Sequence, residues 1–438
     1  MAVLLTAAHS VGCLAVARAL HARGLAVIAT GRPRSLTLYS RSVSRALTAP
    51  SSLREPGTYG RFILDAVRAH GVDLVLPLDD SSLLALDDVR EDLERSTRLG
   101  AAPSPCLRTV LDKERLARYA ATVGMPMPRA FRVSSANEAR AAASELGYPI
   151  VLKPLGPARI GQAPPGHGFK IRFAARWEDV EESLRPYAAA GRCLLLQEYY
   201  PGRTLCLDGV CADGEPLAMV ARQSLKTHPL TGLVGLVRET VPLEPALRER
   251  ASRLLLGLRY EGPFNLQFRQ SPRDGGWRLT DFNPRFSVHV GTTIRAGVDL
   301  PHLVHEWFVG RRMRHVHDYA IGIRGRRLLG DLHHTALVLR GKDRGIDPYY
   351  PTRWEALKEF SLDFVRTHHH DECTLRDPLP ALMEALSWGG VVATAAMHKL
   401  RVGLRPAAPT APPPLAREVL LAHREHVAAD ARTVGRGD

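Results

Sequence analysis

The sequence predicts an α/β domain built on a parallel sheet, followed by an α+β region with two lobes and a helical C-terminal extension. Over the first hundred residues, short apolar strands alternate with amphipathic helices, a pattern typical of parallel sheets covered by helices. Later strands follow one another with turns between them, such as Asp213-Gly214. Such turns favour antiparallel hairpins.

In the N-terminal region the apolar pattern predicts strands at 3–6, 25–29, 46–49 and 73–78. Helices are predicted after the first, third and fourth of these strands, the last two at 58–70 and 81–94. The turn at 7–12 lacks the spaced glycines of a dinucleotide-binding fingerprint, so binding of NAD is not expected. Pro103 and Pro105 mark the end of this domain, which we place at residues 1–102.

The middle of the chain is predicted to form two lobes, at 103–193 and 194–310. The first holds a helix ending near Val123, strands at 131–133 and 150–153, a helix at 137–146, and a loop rich in glycine and proline at 156–168. The second opens with strands at 194–200, 204–211 and 217–222. A helix at 245–258 and strands at 264–268 and 277–282 follow. Beyond these we predict a helical, basic extension at 311–405, a proline-rich linker at 406–414 and a terminal helix at 415–438.

Composition excludes several classes of protein. The chain has 438 residues, of which 45% are hydrophobic and 24% charged, as in ordinary globular proteins. No apolar run is long enough to cross a membrane, no basic segment precedes the first apolar run, and the six cysteines form no CxxC pair. We therefore expect a cytoplasmic protein with no membrane partner. The net charge of +14 is spread along the chain, which favours a small anionic ligand such as ATP over nucleic acid.

The segment 279–285 is the most specific candidate site. Alternation along a strand puts Asp281 and Asn283 on one face, and an antiparallel neighbour can bring Gln267 beside them. Three oxygen donors of this kind suit Mg²⁺. Arg285, just beyond, can reach a phosphoryl group. The alternative is a strand that leaves the core through a polar Asn-Pro turn.

Three further segments are weaker signals. Lys153 ends an apolar strand directly before the glycine-rich loop, where an ammonium group can hold phosphates; the alternative is a surface lysine beside a flexible loop. The polar end of the strand at 195–202 can act as a hinge that presents backbone groups to adenine, or simply end in a Pro-Gly turn. Asp112 and Lys113 are predicted within a helix, where such pairs are usually solvated.

The order of these four segments resembles the ATP-grasp superfamily, most closely its carboxylate–amine ligase and carbamoyl-phosphate-synthase-like branches. The resemblance covers residues 1 to about 310. It implies a Rossmann-like N-terminal domain followed by two lobes that grip ATP. In such proteins two lysines and a glycine-rich loop contact phosphates, a hinge contacts adenine, and metal ligands hold Mg²⁺, with Mn²⁺ as an alternative. The phosphate contacts would be Lys113, Lys153, Gly161 and Gly168. The hinge would be Gln197, Glu198, Tyr199 and Tyr200, and the metal ligands would be Gln267, Asp281 and Asn283. Arg285 would be a catalytic phosphate contact beside Lys153.

This sequence departs from the family pattern at two site positions and in the loop 156–168, which Pro164 and Pro165 are expected to make stiffer than usual. Asp281 stands where the family usually has glutamate, and Thr204 stands where an acidic residue often contacts ribose. The residues 377–380 also resemble the C-terminal end of some family members.

The resemblance implies an ATP-dependent ligase that activates a carboxylate as an acyl phosphate and joins it to an amine, releasing ADP and phosphate. Two alternatives stay open: an enzyme that only phosphorylates or carboxylates its substrate, and an inactive nucleotide-binding regulatory protein. The expected partners are a small carboxylic acid and an amine, with amino acids among the candidates. A homodimer also stays open.

Substrate contacts are the least specific prediction. Arg222, Arg238 and Arg295 are candidates for binding a carboxylate, and surface arginines are the alternative. Asp79 and Asp80 follow a parallel strand, so they can orient an amine or simply cap the next helix. The run 368–371, with three histidines, is interpreted as a solvated loop because three consecutive histidines cannot all face one metal ion.

Overall fold

The computed structural model describes residues 1–155, 171–200, 204–228, 234–271, 274–310, 314–341 and 350–387. Its first unit is a five-stranded parallel sheet in the order β3-β2-β1-β4-β5. The strands are β1 (Ala2–Leu5), β2 (Ala26–Gly31), β3 (Arg45–Thr48), β4 (Leu74–Leu76) and β5 (Arg98–Leu99). The predicted parallel α/β domain is confirmed, and β5 is an edge strand that the sequence pattern did not indicate.

Four α-helices accompany this sheet: α1 (Val11–Ala22), α2 (Pro56–His70), α3 (Asp80–Asp87) and α4 (Arg90–Glu94). Ser10 caps α1 by accepting a hydrogen bond from the backbone N–H of Gly12. A short 3₁₀ helix spans Leu36–Tyr39. The predicted single helix at 81–94 is wrong, because the chain leaves helical geometry at Val89 and begins a second helix there.

A four-stranded antiparallel sheet in the order β6-β9-β7-β8 forms the second unit. Its strands are β6 (Ala130–Val133), β7 (Ile150–Pro154), β8 (Arg172–Ala174) and β9 (Leu194–Glu198). The helices in this part of the chain are α5 (Ser104–Val110), α6 (Lys113–Thr122), α7 (Ala136–Leu146) and α8 (Trp177–Ala189). The predicted boundary at 193/194 separates β9 from this sheet. The structure corrects it, because β9 forms its hydrogen bonds with β6 and β7.

A seven-stranded sheet in the order β14-β13-β10-β11-β12-β15-β16 forms the third unit. Its strands are β10 (Thr204–Ala212), β11 (Glu215–His228), β12 (Val234–Thr240), β13 (Gly262–Gln270), β14 (Trp277–Asn283), β15 (Arg324–Arg326) and β16 (His369–His370). The helices are α9 (Pro245–Gly257), α10 (Val290–Arg295), α11 (Leu300–Phe308), α12 (Leu328–Leu339) and α13 (Arg353–Arg366). Neighbouring strands are antiparallel except β15 and β16.

The two faces of this large sheet differ in chemistry. Leu205, Leu207, Leu266 and Phe268 belong to an apolar cluster that also contains Leu4 of β1. The first unit and the large sheet therefore share one core. Cys206 and Asp208 alternate with these leucines in β10, as Asn265 and Gln267 do in β13. We call this second side, which carries Asp208, Asn265 and Gln267, the polar face.

The C-terminal region departs from the helical prediction. β15 and β16 add two strands to the large sheet, and residues 379–387 are helical. The run 368–371 is not the solvated loop we expected, because His369 and His370 form β16. The glycine-rich loop, the linker at 406–414 and the terminal helix lie outside the described residues. Among those described, no helix is both long and apolar enough to span a bilayer.

Candidate functional site

The predicted metal ligands share the polar face at one edge of the large sheet. Gln267 of β13 lies directly opposite Asp281 of β14, and Asn265 lies opposite Asn283. Side chains of directly opposed residues project to the same side of a sheet. The structure thus brings the three predicted ligands together on adjacent strands.

Asn265 organises this group, and sequence reasoning missed it. Its Oδ1 accepts hydrogen bonds from Nε2 of Gln267 at 3.2 Å and from Nδ2 of Asn283 at 3.0 Å. Its own Nδ2 donates to Asp208 at 2.7 Å. Because Asn265 is two residues from Gln267 in the same strand, strand alternation was the signal that could have found it.

Two lysines reach the end of β14 from different elements. Lys113 is the first residue of α6, and its ammonium group bonds Oδ1 of Asp281. Lys153 of β7 is buried, and its Nζ donates to the carbonyl oxygen of Thr280 at 3.0 Å. The prediction that Asp112 and Lys113 both lie within a helix holds for Lys113. It is wrong for Asp112, which precedes α6 and caps it by accepting from the N–H groups of Glu114 and Arg115.

Arg285 links the metal-ligand group to the N-terminal domain. Its Nε donates to Asp80 at 2.7 Å and its Nη2 donates to Oδ1 of Asn283 at 3.2 Å. Burial acts to lower the pKa of Arg285, but the carboxylate of Asp80 outweighs it and the pKa is raised. Arg285 is therefore a fixed cation. Asp79 caps α3 by accepting from the N–H of Ser82, which was the alternative to orienting an amine. Asp80 pairs with Arg285 instead.

The charge balance of this region suits a polyphosphate with a divalent cation. Lys113, Lys153 and Arg285 supply three positive charges, against the two carboxylates of Asp80 and Asp281. The donor set of Gln267, Asp281 and Asn283 is one carboxylate and two amides, whose oxygens are the hard ligands that Mg²⁺ takes in proteins. Since Asp281 already binds an ammonium cation, the donor set fits a cation site.

The predicted adenine hinge lies at the end of β9. Gln197 is buried, and Glu198 is 3.4 Å from Nε of Arg129. Tyr199 packs edge-on against Phe173, with ring centroids 5.6 Å apart. The carbonyl oxygen of Tyr200 accepts from Nη1 of Arg269 at 2.9 Å. Burial and the nearby Glu198 raise the pKa of Tyr200. Gly161 and Gly168 lie outside the described residues.

The three arginines predicted to bind substrate fall in different environments. Arg222 is fully buried on the polar face and donates to Asp208 at 2.5 Å. Arg238 is also fully buried, and its Nη2 bonds Asp371. Arg295 ends α10 with an exposed side chain. Arg222 and Arg238 are therefore internal, ion-paired residues rather than surface arginines. Arg295 is a surface arginine and is not buried with them.

A family model described as "ATP-grasp in the biosynthetic pathway with Ter operon" matches residues 191–327. The match spans β9 to β15 and includes Gln267, Asp281, Asn283 and Arg285. The matched segment therefore belongs to the ATP-grasp superfamily.

Curated proteins similar to this chain include carbamoyl phosphate synthase large chains. The N-terminal section of that chain from Methanopyrus kandleri is 24% identical over 266 residues, which is 58% of this chain and 44% of the relative. The large chain from Methanothermobacter thermautotrophicus is 26% identical over 190 residues, covering 41% of this chain and 17% of the relative. This chain therefore spans less than half the length of either relative.

Solved structures of other proteins share the fold of this chain at low sequence identity. One is the biotin carboxylase domain of 2-oxoglutarate carboxylase from Hydrogenobacter thermophilus, which was solved as a dimer with MgADP, ADP and bicarbonate. It superposes on this chain with a TM-score of 0.58 at 20% identity, and the match covers 74% of this chain and 73% of that one. An N5-carboxyaminoimidazole ribonucleotide synthetase in complex with ADP gives a TM-score of 0.56 at 14% identity, with coverages of 78% and 86%. At these sequence identities the likeness shows a shared fold and nothing about a shared reaction.

Proposed function

We propose that this protein is an ATP-dependent ligase that phosphorylates a carboxylate and transfers the resulting acyl group to an amine, releasing ADP and phosphate. One observation carries the proposal. Lys113, Lys153 and Arg285 come from three separate parts of the chain and meet where β14 ends. Three cationic side chains beside a set of hard-oxygen donors form the arrangement that binding of a polyphosphate with Mg²⁺ needs.

The described residues divide the work of holding the phosphates. Bound Mg²⁺, held by Gln267, Asp281 and Asn283, would neutralise phosphate charge and polarise the phosphoryl group. Lys113 would exchange its bond to Asp281 for a phosphate oxygen. Lys153, anchored on the carbonyl of Thr280, would keep its charge fixed near the transferred group. Preorganised charges of this kind stabilise a transition state without reorganising during the reaction.

The proposed reaction has two steps. A carboxylate oxygen of the substrate attacks the γ-phosphorus while the bond to ADP breaks, so a poor leaving group becomes phosphate. The amine nitrogen then attacks the acyl carbon, phosphate departs with the electron pair of the C–O bond, and the nitrogen loses a proton to solvent. Arg285, held by Asp80, would stabilise the negative charge that develops on the acyl or phosphoryl oxygens.

The end of β9 is the proposed adenine hinge. Gln197 is buried and the backbone of Glu198 is bonded to that of Arg129, so this segment has a fixed position from which backbone groups can meet the edge of a base. Glu198 and Tyr200 would flank the nucleotide. Thr204 has no carboxylate to offer a ribose, so we expect discrimination at the sugar to be weak.

Bicarbonate is a second candidate for the phosphorylated carboxylate. The observation that favours it is that the structurally similar biotin carboxylase domain was solved with MgADP and bicarbonate. Both reactions begin with attack of an anionic oxygen on the γ-phosphorus, so the same donor set serves either substrate.

Measuring ADP release by the full chain tests the proposal. Mg-ATP is supplied with pooled carboxylic acids and pooled amines, with either pool alone, or with bicarbonate, and products are identified by mass spectrometry. Ligation predicts ADP release that depends on a carboxylic acid and an amide product that also requires the amine. ADP release with bicarbonate alone would instead indicate a carboxylase. ATP binding without ADP release in any arm would indicate a regulatory protein.

Two variants within one hairpin sharpen this test. Asp281→Asn removes the only carboxylate of the proposed donor set and should abolish Mg²⁺-dependent turnover. Asp274→Asn changes an exposed aspartate in the adjoining turn, where it pairs with Arg278, and should leave turnover unchanged. Equal activity of both variants would remove Asp281 from the metal site.

A further inference from the structure

A second group of buried polar residues lies on the polar face of the large sheet, away from the metal ligands. Arg222 lies opposite Cys206, which lies opposite Gln267. Arg238 lies opposite Ser224 on one side and Gly325 on the other, and Gly325 pairs with His369. Directly paired residues share a face. We call Arg222, Arg238, His289, His369 and Asp371 the Arg–His cluster.

The cluster is held together by side chains from beyond the sheet. Nη2 of Arg222 donates to Oγ of Ser287 at 2.6 Å, and that oxygen also accepts from the backbone N–H of His289 at 3.1 Å. Nε of Arg238 donates to Thr292 at 3.0 Å, and its Nη2 bonds Asp371. The arginines are thereby fixed in orientation.

Asp371 is the centre of the cluster. Its Oδ1 is 3.4 Å from Nε2 of His369, and its Oδ2 is 3.8 Å from Nδ1 of His289. The second distance is too long for a hydrogen bond. Burial acts to raise the pKa of Asp371, but Arg238 and the histidines hold it well below its usual range. Asp371 is therefore a carboxylate.

Several buried polar atoms of the cluster have no hydrogen-bond partner among the described residues. They are Nη1 of Arg222, both ring nitrogens of His289, both ring nitrogens of His369 and Oδ2 of Asp371. The side chains of Arg222, His289 and Asp371 are at most 4% exposed. Buried polar atoms are nearly always paired in native proteins. A concentration of such atoms in one place therefore points to a polar ligand.

The chemistry of these atoms defines that ligand. Nη1 of Arg222 is a cationic donor and suits a carboxylate oxygen. Oδ2 of Asp371 is an anionic acceptor and suits an ammonium group. Burial and Arg238 lower the pKa of His289 to about 3, so its ring is neutral and can accept a further N–H. The positive charges of Arg222 and Arg238 equal the negative charges of Asp208 and Asp371 in number. This balance favours a ligand that brings no net charge to the Arg–His cluster.

The register orients the ligand. Arg222 is two strands from Gln267, whereas Arg238, the partner of Asp371, is on the next strand outward. Strands are about 4.8 Å apart. A ligand with its ammonium group at Asp371 and its carboxylate at Arg222 therefore presents the carboxylate toward the metal-ligand group.

We propose that the carboxylate phosphorylated by this protein belongs to an α-amino acid, bound by Asp371 and His289 at its amino group and by Arg222 at its carboxylate. This proposal rests on the proposed function and adds the class of substrate. A simple carboxylic acid would leave Asp371 and His289 without donors, so the cluster predicts selection for the amino group.

Trapping the acyl phosphate with hydroxylamine tests the proposal without knowledge of the amine. The full chain, Mg-ATP and hydroxylamine are incubated with each α-amino acid and with its counterpart lacking the amino group, such as alanine and propionate. We expect hydroxamate from one or more α-amino acids, with kcat/KM at least 10-fold higher than for the counterpart, since loss of a buried charged contact costs at least that much.

Asp371→Asn tests the residue. We expect the KM for the amino acid to rise at least 10-fold and the selectivity over the counterpart to collapse, while the KM for ATP is unchanged. The matched control is Asp331→Asn, which changes a buried aspartate that pairs with Arg326. Arg326 follows Gly325 in β15, so its side chain lies on the face of the sheet opposite to the Arg–His cluster. The control should lower stability and keep the selectivity.

The outcomes separate the two proposals. Hydroxamate formed equally well from the counterparts, or undiminished selectivity in folded Asp371→Asn, overturns the amino-acid assignment and leaves the ligase proposal standing. If Asp371→Asn does not fold, the wild-type selectivity alone decides the question. If none of the carboxylates in the set stimulates ADP release, the ligase proposal itself is overturned.

Discussion

Four ion pairs lie around the candidate site. The four pairs are Lys113 with Asp281, Arg285 with Asp80, Arg222 with Asp208, and Arg238 with Asp371. Breaking such a pair by removing one partner costs about 3–5 kcal/mol. A ligand that displaces one partner of such a pair must therefore supply a group of the same charge as the partner that it displaces.

Lys153→Ala tests the proposed phosphate contact at the residue scale. Removing one fixed cation from the transferred group should lower kcat by at least about 10². Turnover is measured as ADP release, with circular dichroism to confirm folding. Lys358→Ala, on an exposed position of α13, should leave turnover at the wild-type level. A folded Lys153→Ala variant with normal turnover would exclude Lys153 from the mechanism.

Glu372→Gln tests a buried acid beside Asp371. Burial and the carboxylates of Asp371 and Glu384 raise the pKa of Glu372 to about 8. Between about pH 5 and about pH 8 the unfolded chain has lost this proton while the folded chain retains it, so wild-type stability should fall as pH rises. Glutamine does not titrate. The free energy of unfolding of Glu372→Gln, measured with urea across this interval, should fall less steeply.

The control for this pH dependence is Glu359→Gln, which changes an exposed glutamate on α13 that pairs with Arg366. Its stability profile should run parallel to that of the wild type. A profile of Glu372→Gln that also ran parallel would mean that the proton on Glu372 does not contribute.

At the scale of elements, the strands of the large sheet have one apolar side and one polar side. Leu205 and Leu207 pack into the core while Cys206 and Asp208 face the site. A shift of one residue in the register of β10 would exchange these sides. Close packing of the apolar side therefore also positions the polar residues.

Gly209→Ala tests that packing. A Cβ at this position of β10 would lie within 3.0 Å of the Ala218 carbonyl oxygen and of the Phe264 ring. Overpacking of this kind costs about 1–3 kcal/mol, so a lower midpoint of chemical denaturation is expected. Gly57→Ala in α2, where a Cβ meets nothing within 4 Å, should be neutral or stabilising. Equal midpoints for the two variants would contradict this account.

For the whole molecule, residues 371–377 connect the large sheet back to the N-terminal domain. Nε of Arg18 donates to Asp377 at 3.0 Å, and Oγ of Ser40 donates to the same carboxylate at 2.6 Å. Arg18 also donates to the carbonyl oxygens of Asp371 and Glu372 at 3.3 Å. The N-terminal domain thus holds the segment that carries Asp371 into the Arg–His cluster.

Asp377→Ala tests this connection. It leaves the donors of Ser40 and Arg18 unsatisfied, which costs about 1–3 kcal/mol, and it frees the segment that carries Asp371. We expect a lower melting temperature and a higher KM for the carboxylate substrate, with the KM for ATP unchanged. Arg23→Ala breaks an ion pair between α1 and Asp299 whose arginine is half exposed, so it should change the melting temperature little. A normal substrate KM in Asp377→Ala would show that Asp371 is positioned without this segment.

The candidate site illustrates how far sequence reasoning reached. Gln267, Asp281 and Asn283 could be grouped because strand alternation and one hairpin are local rules. Asn265 followed from the same rule and was overlooked. The pairing of Lys113 with Asp281 spans 168 residues, and no local pattern predicts it.

Sequence alone determined the parallel N-terminal sheet, most of the antiparallel strands and the shared face of Gln267, Asp281 and Asn283, because hydrophobic periodicity is set by burial on one face. Tertiary structure decided that β9 joins the smaller sheet, that β15 and β16 extend the larger one, and that Asp80 and Asp371 reach Arg285 and Arg238. The physical reason is that strand order and ion pairing depend on which surfaces meet in space, and distance along the chain carries no information about that.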